Sequence, residues 1–323
     1  MEKYHQIILS FVIGLLIPTT VMNIGLRLTP QETTVSTAET QSTEPSVVVQ
    51  SSKIPVLLTD GQTIQMELSD YLVGVILAEM PTSFEPAAIQ AQAVVARTYA
   101  LKRQQDMRHP DGAVCTDFNC CQAYISQESY LDGQGYPEDI SAARSAVEST
   151  RGMVLAYEDK LIEATYFHSS GGKTEDAVAV WGVDYPYLQS VDSPGEEEME
   201  HYCQVEYFDK QTLESCLGVT LWGAPSSWLG WTTYTAGGGV DTMYIDGVKY
   251  TGTELRSLLK LNSTAFYIEA ADDGICVTTF GKGHRVGMSQ MGAQAMALRG
   301  CSYQEILSHY YPGTRIDKLE DVG

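Results

Sequence analysis

One glutamate in this sequence is placed where its carboxyl can act as an acid near neutral pH. Glu79 lies at the end of the apolar segment 70–81, which Pro81 terminates. Ser69 and Asp70 are residue types that cap helix N-termini, so the segment predicts a short helix with Glu79 in its last turn. There the negative end of the helix dipole and the loss of hydration both disfavour the ionised carboxylate, which is typical of a general acid. The alternative is an ordinary glutamate whose carboxyl reaches solvent at a helix end.

A second group of residues has the donor atoms of a metal site. A turn-rich stretch of thirteen residues contains one histidine and three cysteines, namely His109, Cys115, Cys120 and Cys121. Four such ligands are typical of a closed structural zinc site, and disulfide bonds are the alternative. The remaining cysteines are Cys203, Cys216, Cys276 and Cys301. Among them the pair Cys203 and Cys216 is favoured because both lie in one segment, but the sequence does not give the connectivity.

Composition restricts the classes of function. The chain has 323 residues, of which 44% are hydrophobic, and a formal net charge of −21. It is long enough for one large or two modest domains. A charge of this sign provides no surplus to neutralise phosphates, so we expect no nucleic-acid partner. The negative charge also argues against electrostatic binding to anionic lipids or wall polymers, so an anionic ligand must be held by local hydrogen bonds.

The N-terminal part predicts a membrane anchor and a tether. Residues 7–26 carry no charge and have the length of a bilayer span, so we expect residues 1–28 to anchor the chain in the cell membrane. A cleaved signal peptide is the alternative, but no small-residue cleavage site follows before Arg27. Residues 29–53 are polar and predict a disordered linker. We therefore expect a single-pass protein whose body, residues 54–318, lies outside the cell membrane.

The body predicts an α+β fold of mixed helices and antiparallel sheets. Residues 54–68 alternate as in a small hairpin, and residues 151–167 predict a second hairpin that turns at residues 158–160. A long helix is expected to begin near Pro86 and to end in basic residues. Residues 195–275 predict a second, smaller β-rich subdomain.

Capping and turn signals mark the remaining elements. The acidic run at residues 196–198 predicts a solvated turn, and a helix is expected around residues 253–259. A glycine-rich turn over residues 280–292 leads into a helix that ends at Gly300. Residues 302–305 form a capping box for the last helix. The glycines do not follow the dinucleotide-binding pattern, so we do not expect a phosphate-binding loop.

Separated motifs over residues 55–315 resemble the stage II sporulation protein D family, to which the amidase-enhancer proteins are also similar. The motifs occur in order along the chain, at residues 72–81, 91–100, 168–174, 181, 187–191, 283–293 and 309–314. The resemblance implies a peptidoglycan lytic transglycosylase with an N-terminal anchor and a substrate cleft. The sequence departs from the family at Arg285, where glycine is more usual.

The resemblance also implies roles for individual residues. It makes Glu79 the catalytic acid and base. It implies a structural Zn²⁺ held by His109, Cys115, Cys120 and Cys121, as in some clostridial-type members, with Cys120 in place of a usual histidine. The positions assigned to glycan binding are Ser169, Ser170, Lys173, Tyr187, His284, Ser289 and Gln290. Arg97 and Tyr99 are assigned either to the same task or to bracing the Glu79 loop. For each of these positions a structural turn or cap is the alternative.

The reaction that the resemblance implies needs only one carboxylate. Glu79 protonates the glycosidic oxygen between N-acetylmuramic acid and N-acetylglucosamine, and the muramyl C6 hydroxyl then attacks C1 to leave a 1,6-anhydromuramyl end. The resemblance implies glycan strands free of stem peptides as the substrate, with septal wall degradation during engulfment as the setting. It implies a sporulation amidase and membrane proteins as partners. A non-catalytic, glycan-binding enhancer of an amidase is the alternative, and a zinc hydrolase is disfavoured because four protein ligands leave no position for water.

Overall fold

The computed structural model of the protein describes residues 53–199 and 202–322. Within these ranges the chain has ten α-helices and fourteen strands, so the predicted α+β class is confirmed. The predicted anchor at residues 1–28 and the linker at residues 29–53 lie outside the described residues, except for Lys53, and stay predictions. No helix in the described ranges is long and apolar enough to cross a membrane.

The helices and strands alternate along most of the chain. The helices are α1 (Leu68–Glu79), α2 (Pro86–Gln105), α3 (Gln127–Asp132), α4 (Pro137–Ser149), α5 (Ala177–Trp181), α6 (Lys210–Leu217), α7 (Pro225–Trp228), α8 (Gly252–Leu258), α9 (Gln290–Leu298) and α10 (Tyr303–Tyr310). The strands are β1 (Lys53–Leu57), β2 (Thr63–Glu67), β3 (Val114–Cys115), β4 (Met153–Tyr157), β5 (Lys160–Leu161), β6 (Tyr166–Phe167), β7 (Cys203–Asp209), β8 (Leu229–Tyr234), β9 (Val240–Ile245), β10 (Val248–Thr251), β11 (Phe266–Ala270), β12 (Gly274–Phe280), β13 (Met288–Ser289) and β14 (Arg315–Lys318). Helices α2, α8, α9 and α10 lie where the sequence predicted them.

The strands form five small sheets, which are mostly antiparallel. Four sheets have three strands, in the orders β2-β1-β3, β14-β4-β5, β11-β12-β7 and β10-β9-β8, and the fifth pairs β13 with β6. The β13–β6 pair is parallel, with Met288 opposite Tyr166 and Ser289 opposite Phe167. This pairing brings the motif at residues 168–174 beside the motif at residues 283–293, although more than a hundred residues separate them in sequence.

Helix α2 is the central element because apolar cores lie on two of its sides. The face that the sequence predicted packs towards α1 and α4, through Ile89, Ala93, Ala96 and Ala100. The other face packs towards α9, α10 and β4, through Ala88, Ala91, Val94 and Val95. Most of these side chains are alanine, which costs nothing in helix propensity and allows the neighbouring elements to approach closely.

A third core is formed by residues of the range 208–277. It contains side chains from the sheets β11-β12-β7 and β10-β9-β8 and from helices α6, α7 and α8. Its largest fully buried side chain is Trp228, whose indole N–H donates to the Trp222 carbonyl at 3.0 Å, so the buried polar atom is satisfied. This core overlaps the range 195–275 that the sequence assigned to a β-rich subdomain.

The predicted start of the first helix was wrong. Helix α1 begins at Leu68, after Glu67, whose side chain makes no capping hydrogen bond. Ser69 and Asp70 therefore lie inside the first turn, where Asp70 still interacts favourably with the helix dipole. The chain enters the helix directly from strand β2, without a capping side chain.

Two further predictions need correction. The second hairpin turns at Glu158 and Asp159 as predicted, but β5 ends at Leu161, because residues 166–167 pair with β13 instead of continuing the hairpin. The favoured disulfide between Cys203 and Cys216 does not form, since all seven cysteines are free.

Candidate active site and metal cluster

Glu79 lies where helix α1 ends and the chain becomes extended at Met80. The helix ends there because Pro81 follows, and a proline disfavours the α region for the residue before it. The Glu79 side chain is half-buried, and its Oε1 accepts a hydrogen bond from the Ala123 N–H at 2.9 Å. The local sequence thus sets the position of the carboxyl, and a segment from beyond α2 supplies its partner.

The Tyr166 hydroxyl is the second partner of the Glu79 carboxyl. The same hydroxyl donates to Gln122 Oε1 at 3.1 Å. Gln122 is buried, and its Nε2 donates to the Tyr71 hydroxyl at 3.3 Å and to the Ala96 carbonyl at 3.4 Å. Because both ends of the Gln122 amide are held, this side chain fixes the position of the Tyr166 hydroxyl beside Glu79.

The surroundings of Glu79 favour its protonated form. Burial raises the pKa of Glu79 above its ordinary value, and the hydrogen bonds from Ala123 and Tyr166 only partly oppose this. The pKa of Tyr166 is raised well above its ordinary value, first by burial and then by the neighbouring Glu79 charge. The tyrosine hydroxyl therefore stays protonated, and the Glu79 carboxyl keeps its proton to a higher pH than an ordinary glutamate does.

His284 contacts the other side of the Tyr166 segment. Its ring is hydrogen-bonded to the Tyr166 backbone, and its Nδ1 accepts from the Val286 N–H at 3.1 Å. The ring centroid lies 5.5 Å from that of Phe167 and 5.2 Å from that of Trp181. Burial, followed by the nearby Arg256 charge, lowers the pKa of His284 to about 4. His284 is thus neutral at pH 7, and its hydrogen bonds suit it to hold Tyr166 in place.

The four predicted zinc ligands lie together. The donor atoms of His109, Cys115, Cys120 and Cys121 all fall within 4.8 Å of one another. His109 Nε2 is 3.4 Å from Cys120 Sγ and 3.5 Å from Cys121 Sγ. Zn–S bonds of ~2.3 Å and Zn–N bonds of ~2.0 Å in a tetrahedron give ligand separations of about 3.5–3.8 Å, so the donor set and its spacing fit Zn²⁺.

The backbone brings this cluster close to Glu79. Cys115 is held by the parallel pairing of β3 with β1, and the N–H groups of Cys120 and Cys121 donate to the Asp117 carbonyl at 3.0 and 2.9 Å. Cys121 directly precedes Gln122 and Ala123, the two residues that fix Tyr166 and Glu79. Any group that immobilises Cys121 therefore also restrains the partners of Glu79.

Glu196, at the start of the acidic run that was predicted to be a solvated turn, is buried, so that prediction was wrong for this residue. Its Oε2 accepts from the N–H groups of Ser170 and Gly171 at 2.8 and 2.9 Å. Its Oε1 accepts from the hydroxyls of Ser193 and Ser289. Ser170 and Ser289, which were predicted to bind glycan, thus belong to a buried network that fixes two loops.

The other predicted loop residues border the same region. Ser169 exchanges two backbone hydrogen bonds with Lys282, at 3.1 and 2.8 Å, which joins the loop 169–173 to the glycine-rich turn. Lys173 is half-buried, and its backbone forms an isolated antiparallel β-bridge with Asp192. Gln290 is buried, and its Nε2 has no hydrogen-bond partner among the described residues.

Arg97 makes the contacts of a bracing residue. It is buried, and its guanidinium donates to the carbonyls of Val147 and Met153, both at 3.1 Å. These bonds join helix α2 to the end of α4 and the start of β4, and they do not reach the Glu79 loop, whose bracing was one role that the sequence suggested for Arg97. Tyr99 lies under the guanidinium of Arg103, 4.6 Å from its ring centroid, on the same helix.

Tyr187 lies apart from Glu79, in the wall of a cavity. Its hydroxyl accepts from the Glu163 N–H at 3.1 Å, and its ring lies 5.5 Å from that of Tyr157. The cavity has a volume of about 470 Å³ and lies between the end of α2, including Lys102, and the β4–β5 turn, including Lys160. None of these contacts of Tyr187 involves Glu79 or Tyr166.

Sequence reasoning missed three residues of the site. Tyr166, Gln122 and the Ala123 N–H are the groups that contact or orient the Glu79 carboxyl. Tyr166 lies two positions before the motif at residues 168–174, and Gln122 directly follows the cysteine pair. These positions beside motifs were the available signals, but neither one indicates contact with Glu79.

Comparison with known proteins identifies the family. Residues 60–157, which include Glu79 and the metal cluster, match the family model for stage II sporulation protein. The chain is 35% identical over 303 residues to stage II sporulation protein D of Bacillus subtilis (strain 168), covering 92% of this chain and 88% of that protein. It is 35% identical over 289 residues to the protein of the same name from Bacillus amyloliquefaciens, covering 87% and 83%. The chain therefore belongs to the stage II sporulation protein D family.

A further relative has a different name. The amidase enhancer of Bacillus subtilis (strain 168) is 29% identical over 300 residues, which cover 76% of this chain but 40% of that protein. The similarity between this chain and an amidase enhancer bears on the choice between the two functions that the sequence suggested.

Proposed function

We propose that the protein is a lytic transglycosylase that cleaves the bond between N-acetylmuramic acid and N-acetylglucosamine in peptidoglycan. The observation that carries the proposal is the half-buried Glu79 carboxyl, whose pKa burial raises and which the Ala123 N–H and the Tyr166 hydroxyl hold in one orientation. Peptidoglycan is the substrate that membership of this family leads us to expect.

The reaction uses Glu79 twice. The protonated carboxyl gives its proton to the glycosidic oxygen as the bond from that oxygen to muramyl C1 breaks. The muramyl C6 hydroxyl then attacks C1 and loses its proton to the Glu79 carboxylate, which restores the acid. One C–O bond breaks, one forms, and no water is consumed. Attack within the same sugar gains from a high effective concentration of the nucleophile, so a second protein carboxylate is unnecessary.

Tyr166 suits both protonation states of Glu79. Its hydroxyl can donate to the ionised carboxylate, or it can donate to Gln122 Oε1 while accepting a hydrogen bond from the neutral carboxyl. Each state of Glu79 thus keeps a hydrogen bond to the Tyr166 hydroxyl. The Ala123 N–H remains a donor to Oε1 in both states.

A hydrolytic glycosidase of the two-carboxylate kind fits less well. Glu163, the acidic residue on the segment that leads to Tyr166, is buried in an ion pair with Arg103. The Arg103 guanidinium occupies the Glu163 carboxylate, so this carboxylate is not free to bind and activate a water molecule. This arrangement favours the reaction with a single carboxylate.

We further propose that Zn²⁺ bound by His109, Cys115, Cys120 and Cys121 has a structural role. Four protein ligands complete a tetrahedral shell, so the ion would supply cross-linking and not a bound hydroxide. The cross-link would fix Cys121 and, through the chain, Gln122 and Ala123. Zinc would thereby stabilise the orientation of the Glu79 carboxyl.

The setting that we propose is the outer face of the cell membrane during sporulation, with residues 7–26 as the anchor. The substrate would be glycan strands free of stem peptides, supplied by a sporulation amidase, with other membrane proteins as partners. The relatives' names, which refer to stage II of sporulation and to the enhancement of an amidase, support this setting.

The test compares the full-length wild type with Glu79→Gln on purified glycan strands. We expect 1,6-anhydromuramyl ends by mass spectrometry with the wild type and none with the variant, because glutamine can neither give nor take the proton. Glu85→Gln, an exposed position at the start of α2, is the matched control and should cleave at the wild-type rate. Cleavage by Glu79→Gln at an undiminished rate would refute the proposal.

A second candidate function is a non-catalytic enhancer of an amidase, which the similarity to the amidase enhancer favours. An enhancer would raise the rate of a cell-wall amidase equally as the wild type and as Glu79→Gln, and neither protein would produce anhydromuramyl ends. The same two proteins, assayed with and without the amidase, distinguish the two functions.

A further inference from the structure

Arg285 and Glu175 form a buried ion pair outside the Glu79 cluster. Arg285 Nη1 lies 2.9 Å from Glu175 Oε1, and each side chain is 1% exposed. Removing two charges from water is costly, and hydrophobic residues of similar volume are often as stable or more so. Arg285 also has a φ of 66°, which is rare for a residue with a side chain. Both observations indicate that the pair does more than stabilise the fold.

The Arg285 guanidinium joins separate segments of the chain. Its Nε donates to the Ser170 carbonyl at 2.7 Å, and its Nη2 donates to the Lys173 carbonyl at 2.8 Å. Nη2 also donates to the Gly237 carbonyl at 2.8 Å, in the turn between β8 and β9. A planar group with five donors can hold several acceptors in fixed directions, which lysine cannot do.

Glu175 holds the same β8–β9 turn from the other side of the pair. Its Oε1 accepts from the Thr235 hydroxyl at 2.7 Å and from the Gly239 N–H at 2.9 Å. The turn approaches so closely that a Cβ on Gly239 would lie 2.4 Å from Glu175 Oε1, and one on Gly237 would lie 2.6 Å from Oε2. Glycine is therefore required at both positions for the turn to reach the pair.

The backbone of the pair leads directly to the candidate active site. The Glu175 N–H donates to the Arg285 carbonyl at 2.5 Å. Arg285 follows His284, whose ring is hydrogen-bonded to the backbone of Tyr166, the partner of the Glu79 carboxyl. The β8–β9 turn thus contacts the buried ion pair, which is joined through the chain to His284. His284 contacts Tyr166, and Tyr166 contacts Glu79.

We propose that Arg285 and Glu175 are positioning residues that form a buried clamp between the β8–β9 turn, the loop 169–173 and His284. The clamp fixes the His284 ring against Tyr166 and so keeps the Tyr166 hydroxyl beside Glu79. The catalytic consequence rests on the proposed function, whereas the effect on His284 does not. If the pair had only a structural role, its removal would change the stability of the protein and leave the folded site as it is.

The test uses full-length variants that remove the charges without leaving one unpaired. Arg285→Met together with Glu175→Met eliminates both charges, whereas either single change would leave a buried ion without its partner. Arg285→Lys keeps the charge and loses the planar fork. The matched control replaces the exposed pair of Arg315 and Asp159 by methionine in the same way.

The first measurement is the titration of His284 by NMR in ¹³C-histidine-labelled protein, with the signal assigned from a His284→Gln sample. In the wild type burial and Arg256 hold the pKa of His284 at about 4. In the double variant we expect it to rise towards the ordinary value of ~6.5, because the ring is no longer fixed in its enclosed position. Arg285→Lys should give a smaller rise, and the exposed-pair control should give none.

The second measurement is the kinetics of glycan cleavage. We expect kcat to fall about 10- to 100-fold in the double variant with little change in KM, because misplacing a catalytic group affects the chemical step. The proposal is overturned if the double variant folds and keeps the wild-type His284 titration and kcat. If the double variant does not fold, an unchanged His284 titration in Arg285→Lys overturns it. If the wild type itself does not cleave, the proposed function fails, and the His284 titration alone decides whether the clamp exists.

Discussion

Tyr166→Phe should raise the pKa of Glu79 further. The hydroxyl is a donor to the ionised carboxylate, so its removal disfavours that form. A hydrogen bond to a charged group contributes about 1.5–3 kcal/mol, and one pKa unit corresponds to about 1.4 kcal/mol. The expected rise is therefore about one to two pH units, at the lower end because Glu79 is only half-buried and partly solvated. The pH above which cleavage declines should move upwards by the same amount, because the protonated acid persists to higher pH.

The assay is ¹³C NMR of glutamate carboxyls in the full-length protein, with the Glu79 signal identified by its absence in Glu79→Gln. Tyr124→Phe is the matched control, because the Tyr124 hydroxyl donates to Met66 Sδ at 3.6 Å, whereas the Glu79 carboxyl is hydrogen-bonded to Ala123 and Tyr166. It should leave the pKa of Glu79 unchanged. A Glu79 pKa that stays constant or falls in Tyr166→Phe would refute the role given to this hydroxyl, as would an equal rise in the control.

Three further predictions concern the metal, a helix contact and pH. Removal of zinc with a chelator should lower the thermal unfolding midpoint, and re-addition should restore it; an unchanged midpoint after chelation would contradict the structural role. Gly74→Ala should destabilise the protein by about 1–3 kcal/mol in urea unfolding, because the new Cβ would lie 2.3 Å from the Tyr124 ring and 2.5 Å from the Ile125 carbonyl. A gain in stability would show that the segment with Tyr124 and Ile125 moves to make room for the methyl group. Since the folded protein raises the pKa of Glu79, ionisation of this residue opposes folding as the pH rises above ~4.3. Glu79→Gln should therefore equal the wild type in stability at low pH and exceed it at pH 7, and a difference independent of pH would contradict this.

Much of the helical structure could be predicted because its signals are local. Pro81 and Pro86 define the end of α1 and the start of α2, and the capping box at residues 302–305 defines the start of α10. The position of Glu79 at a helix end follows from these local rules. The grouping of the four predicted metal ligands could also be anticipated, since they lie within thirteen residues.

The partners of Glu79 could not be predicted because they depend on contacts between distant segments. Tyr166 reaches Glu79 because β6 pairs with β13. Each of these strands has two residues, and so short a sequence does not indicate the register of the pairing. Glu196 was expected to be solvated because it begins an acidic run, yet four hydrogen bonds from N–H and hydroxyl donors compensate its burial. Local composition cannot reveal a compensation that comes from other loops.

Cleavage of purified glycan strands in H₂¹⁸O tests the central claim most directly. If Glu79 serves as both acid and base for attack by the muramyl C6 hydroxyl, the wild-type products should be anhydromuramyl ends that contain no ¹⁸O. Each fragment that carries an anhydromuramyl end should be lighter by one water than its hydrolytic counterpart, and Glu79→Gln should form neither. Reducing ends that carry ¹⁸O at muramyl C1 would show that water is the nucleophile, and the single-carboxylate account would then be wrong.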